Sequence, residues 1–119
     1  MNVSDMGECV RAIFLRPNEF KAKIVEAAGD YLRGVEIAEA LNNNFPNKKF
    51  IYGNVSLDKF KSFGFPGAEE FSNMFEYFQS GKMKRDIVLT KKLNPNTLKF
   101  NDWIIKNNQD IEKMLANAH

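Results

Sequence analysis

The stretch KIVEAAGDYLRGVEIAEALNNNFPNKKFIY, Lys23 to Tyr52, is where the fold is decided. The apolar run Ile24 to Ala28 ends at Gly29 and Asp30, the pattern of a short buried strand. Val35, Ile37, Ala38, Leu41 and Phe45 then fall on the inner side of a helix, which the polar Asn42 to Asn44 and Pro46 terminate. Phe50 to Tyr52 offers a second strand. Strand, helix and strand joined by short links specify a right-handed parallel crossover. The expectation is therefore an α/β lobe: a small parallel pair formed by Ile24 to Ala28 and Phe50 to Tyr52, neighbours in one sheet, joined by the helix of Val35 to Asn44 and surrounded by four or five further helices.

Upstream, Ser4 can cap a helix with Asp5 in its first turn, Met6, Val10, Ile13 and Phe14 share one face, and Pro17 closes it. Downstream, Ser56 or Asp58 can start a short helix through Lys61. The stretch FGFPGAEEFSNMFEYF, Phe63 to Phe78, then reads as a turn at Gly64 and a helix beginning near Pro66. Glu69 and Glu70 in its first turn suit the helix dipole, as do Lys82, Lys84 and Arg85 beyond its end. Phe71, Met74, Phe75 and Phe78 sit at i, i+3, i+4 and i+7, most simply a core face. The segment from Asp86 gives mixed signals up to a turn at Asn94 to Asn96. A last helix carries Phe100, Trp103, Ile104, Ile111, Met114 and Leu115, with Asn107 and Asn108 placed to kink or break it.

At 119 residues the chain has the size of one domain, residues 1–119. A net charge of +2 nominates neither nucleic acid nor an anionic membrane. One cysteine permits no internal disulfide, and no apolar run is long enough for a bilayer span or a signal peptide. A soluble, reducing setting follows, cytoplasmic or also nuclear. Eleven phenylalanines is a bulky inventory for so small a chain, so some rings are expected to face a partner.

The chemistry is as informative for what it lacks. The glycines never reach the Gly-x-Gly-x-x-Gly spacing that lets backbone approach a pyrophosphate. Tyr31, Tyr52 and Tyr77 are each followed four residues later by Val35, Ser56 and Gly81 rather than by an activating lysine. With Cys9 and His119 as the sole cysteine and histidine, neither a zinc cluster nor a His-based nucleophile system can be assembled from this chain. No catalytic residue, metal ligand or cofactor ligand is expected.

Several ordered motifs nevertheless carry a resemblance. Gly64 to Ala68, Ser72 to Phe75, Arg85 to Ile87, Leu93 to Pro95 and Trp103, together with the opening Val3 to Val10, resemble the C-terminal part of NmrA-like proteins. These are atypical short-chain dehydrogenase relatives, many of them redox-sensing regulators, that bind NAD or NADP through a glycine-rich loop near their N-terminus. The resemblance implies the C-terminal substrate- or partner-binding lobe of a Rossmann-type regulator, not catalytic alone, without the half that holds the dinucleotide. Its alternative is the substrate lobe of an NAD(P)-dependent reductase whose Rossmann half is missing or separately encoded. The implied partners are that half or another protein, not nucleic acid or a membrane. Phe60, Phe63, Gly64, Phe65, Pro66, Gly67 and Phe71 are the expected cleft lining, with Gly64 to Gly67 setting the angle between two helices. Phe60 stands where cofactor-binding relatives carry a tyrosine, which removes a hydroxyl donor. Arg33 and Lys99 stand where helix caps are usual, so frayed helix starts are expected there.

Overall fold

In the computed structural model, which describes residues 1–117, all regular structure among the described residues is helical. The helices are α1 Val3–Phe14, α2 Pro17–Phe20, α3 Gly34–Asn44, α4 Leu57–Lys61, α5 Ala68–Gln79, α6 Ile87–Leu93, α7 Phe100–Lys106 and α8 Asn108–Asn117.

The expected α/β lobe is thus corrected. Residues 24–28 and 50–52 have no regular secondary structure, and neither belongs to a sheet. A strand exists only through a backbone ladder with a neighbouring strand, and these two segments spend their hydrogen bonds elsewhere. The Glu26 carbonyl accepts from the Asp86 amide at 2.9 Å, and the Ala28 amide donates to Thr90 Oγ1 at 3.0 Å, so the first segment lies along the start of α6. The second is held by one side chain: Asn42 Oδ1 accepts from the Phe50 amide, and Asn42 Nδ2 donates to the Phe50 carbonyl, both at 2.9 Å. A short apolar run specifies extended backbone but not the partner that would make it a strand.

The chain divides into two compact units: Met1–Tyr52 together with the chain from Arg85 onward, and Gly53–Lys84. In the first, α1 packs on α2 and α6, and α3 and α8 pack on α7. Its core gathers Cys9, Ala12, Phe20 and Leu93, with Ile13, Val25 and Leu89 against them. Ile104 is fully buried on α7, and Phe45 is buried at the end of α3 with its ring 6.3 Å from that of Phe50.

Polar bonds across long sequence separations complete this unit. Asp5 Oδ2 accepts from the Leu98 amide at 3.0 Å, and Asn94 Nδ2 donates to the Asp5 carbonyl at 3.3 Å. Lys91 Nζ donates to the carbonyls of Pro95 and Thr97, closing the Asn94 turn from outside. The two helix starts expected to fray are pinned instead. Glu36 accepts from both the amide and the guanidinium of Arg33, and Asp30 Oδ2 accepts from the Phe100 amide at 3.1 Å. The carboxylate that Lys99 cannot supply comes from a residue 70 positions away. At the first helix, Asn2 rather than Ser4 occupies the cap position, without a side-chain bond.

In the second unit, α4 packs on α5. Ser56 caps α4 by accepting from the Lys59 amide, and Ser72, buried on α5, donates to the Leu57 carbonyl at 3.2 Å. Between the helices the backbone is left-handed at Gly64, φ 65°, and at Gly67, φ 89°. A Cβ on Gly64 would meet open space and one on Gly67 only ordinary contact with Phe71, so both glycines are required by conformation rather than by room. Pro66 sits in this turn ahead of α5, whose cap position is Gly67.

Candidate functional site

The turn and the two helices flanking it gather the residues singled out in the sequence. Phe60, half-buried, is the hub: its ring meets those of Phe63, Phe65 and Phe75 edge to face, at centroid distances of 5.8, 5.6 and 5.2 Å. Phe65 extends the cluster to Phe71 at 6.2 Å, and Phe75 extends it to Phe78 at 6.5 Å. Lys59 Nζ lies 5.9 Å from the centre of the Phe63 ring. Edge-to-face rings in this distance range attract through their quadrupoles, so the left-handed Gly64 and Gly67 serve to fold Phe65 back onto Phe60.

The cluster is open to solvent. Phe63 is 53% exposed and Phe71 49%, and the other members of the α5 stripe, Met74, Phe75 and Phe78, are also exposed. The stripe expected to be core is therefore a surface. The residues that α5 buries are Ala68 and Ser72, on the adjacent face, because a unit of this length cannot enclose so many rings. Glu69 and Glu70 stand exposed in the first turn of α5, as dipole pairing requires.

Among the described residues no three His, Cys, Asp or Glu side chains are grouped to hold a metal ion. Cys9 is buried, and burial pushes its thiol above the ordinary range, which keeps it protonated and inert. The arrangement can bind: it offers contiguous aromatic surface with a cation at one edge.

Two further features of the first unit escaped the sequence reading. A half-open cavity of about 350 Å³ is lined by Met1, Gly29, Asp30, Leu98, Phe100 and Trp103, and the Phe100 and Trp103 rings lie nearly parallel, 14° apart. Phe100 and Trp103 were its legible signals, as residues of one helix; Gly29 and Asp30 reach them through tertiary contact, the Asp30–Phe100 bond among them. Tyr31, considered above only as a general acid, binds the backbone of Arg85: its hydroxyl accepts from the Arg85 amide and donates to the Arg85 carbonyl.

No helix among the described residues is long and apolar enough to cross a membrane. The sequence model of the NmrA-like family matches residues 1–105.

Proposed function

This chain belongs to the NmrA-like family, and from that premise we propose that it is the C-terminal lobe of an NAD(P)-sensing regulatory protein. The lobe binds a substrate or a protein partner and performs no chemistry by itself. One observation carries this reading: Phe63, Phe65, Phe71 and Phe78 form a single connected aromatic surface with Phe60 and Phe75, and solvent reaches it. Contiguous apolar surface of this kind marks a docking site. The dinucleotide, NADP or NAD, is held by the glycine-rich half of the family plan, and this lobe contributes apolar contact rather than a phosphate cradle.

The test uses chain 1–119, a separately expressed glycine-loop half of a family member, and a hydrophobic dye. Titration of the chain with NADPH gives no heat in a calorimeter. Mixing the two halves gives a one-to-one complex in sedimentation and dims the dye. Phe65→Ser lowers dye binding and weakens the complex at least fivefold while lowering the denaturant midpoint only modestly, because the ring is in part exposed. Micromolar NADPH binding by the chain alone would sink the proposal. So would a complex indifferent to Phe65→Ser, or an unchanged dye signal accompanied by a large loss of stability, which would mean that the ring is structural.

A further inference from the structure

Gly53–Lys84 is an insertion: the chain leaves the first unit after Tyr52 and returns to it at Arg85. The connecting backbone is thinly held. Among the described residues, 53–55 and 82–84 make no backbone–backbone hydrogen bond; Asn54, within the first, is left-handed at φ 43°, and so is Gly81, just before the second, at φ 68°. Segments with few such bonds open at low free energy.

The residues that flank the insertion, Tyr52 and Arg85, are in contrast held within the first unit, and residues 31–34 touch both. At the return, the Tyr31 hydroxyl takes both the amide and the carbonyl of Arg85, and the next amide, Asp86, donates to the Glu26 carbonyl. At the exit, the Tyr52 ring lies directly on Gly34, so closely that a Cβ there would overlap three of its carbons. Residues 31–34 are themselves fixed on both sides, by Asp30 bonded to the Phe100 amide and by Glu36 bonded to Arg33.

We propose that residues 31–34 form a clasp that holds both points where the chain leaves and re-enters the first unit, Tyr52 and Arg85, so that loosening one contact loosens the other while the rest of that unit stays folded. Anything that binds over Tyr31 or Tyr52, both about half-exposed, would then loosen or tighten both contacts together.

The geometry supplies its own probes. Trypsin cutting between Lys84 and Arg85 must free the amide that Tyr31 accepts. Chymotrypsin cutting after Tyr52 must draw the ring away from Gly34. When opening and closing are fast, cleavage tracks the population of the open form. In the full 1–119 chain, Tyr31→Phe removes one hydroxyl, and cleavage at Lys84–Arg85 should rise about fivefold to tenfold, the weight of a hydrogen bond or slightly more. Gly34→Ala should speed cleavage after Tyr52 by a similar factor, even though alanine is the better helix former at the start of α3.

The decisive readings are the crossed ones. A clasp requires Tyr31→Phe also to speed cleavage after Tyr52, at least twofold, and Gly34→Ala also to speed it at Lys84–Arg85, while the amides of Cys9, Thr90 and Ile104 keep their hydrogen-exchange protection. If each substitution accelerates only its own bond, there are two independent contacts and no clasp. Loss of protection at those three amides in parallel with cleavage would mean general unfolding and would equally overturn the proposal. Should Gly34→Ala fail to fold, Tyr31→Phe read at both bonds decides the matter alone.

Discussion

The two units hold their shape by opposite means. Gly53–Lys84 relies on neighbours in sequence: a hub ring at Phe60 meets Phe63, Phe65 and Phe75, with one buried hydroxyl at Ser72. The remainder relies on polar groups that meet across most of the chain, Asp5 with Leu98, Asp30 with Phe100 and Ala28 with Thr90. Rings in a small unit tolerate exposure because their attraction is spread over many contacts. A buried amide has one partner and loses it entirely when that partner goes. The first design leaves sticky surface available, and the second fixes a frame.

Truncation should separate the designs most sharply. Ile104→Ala, at a site with no solvent exposure, should cost about 2–5 kcal/mol in chemical denaturation. Phe60→Ala, although it deletes a larger group, should cost less, about 1–3 kcal/mol, because the ring is only half-buried. The reverse order would show that the aromatic hub, not α7, governs stability. Asp5→Ala comes next, at about 1–3 kcal/mol, since it strands the Leu98 amide. A change below a few tenths would mean that water replaces the carboxylate and that the frame is less exacting than its geometry.

The smallest effect concerns pH. The Arg33 guanidinium and amide hold the Glu36 carboxyl below the usual carboxylate value. A depressed folded-state value contributes stability that is present above the unfolded-state value and is lost as pH falls through the folded one. Acidification below about pH 4.5, the ordinary glutamate value, should therefore loosen the first turn of α3, and Glu36→Gln should abolish that dependence. Both groups are solvent-exposed, so the change should be visible in amide exchange at Ile37 rather than in the global midpoint.

Local chemistry was legible in the sequence, and the identity of distant partners was not. The α5 periodicity, the Ser56 cap, the Gly64 turn and the break at Asn107 all depend on residues within a few positions of one another, and each lies where the sequence placed it. The two expected strands failed because the partner of each segment, a helix start in one case and the Asn42 side chain in the other, is specified by contacts that an apolar run does not encode. The same limit hid the cap of α7, whereas the carboxylate that pins α3, Glu36, stands three residues from Arg33 and was within local reach. Arg33 and Lys99 offered no acceptor, and nothing local could reveal that Asp30 would lend its carboxylate. Within the candidate site, the rings were legible as a group. Their exposure was missed by the core reading of the α5 stripe and anticipated by the count of phenylalanines, which exceeds what so short a unit can enclose.

The bond from Asp5 to Leu98 also sets an order of events during synthesis. Its acceptor is made 93 residues before its donor. At about 5–20 residues per second, α1 waits roughly 5–20 seconds on the ribosome before the turn that anchors it exists. All the ring contacts of Gly53–Lys84 close within 15 positions of one another, so that cluster can assemble while the first unit is still incomplete. From the synthesis of Phe78 until Leu98 is made, about 1–4 seconds at that rate, the nascent chain carries both its exposed aromatic cluster and an unanchored amphipathic helix, the period in which a chaperone has most to protect.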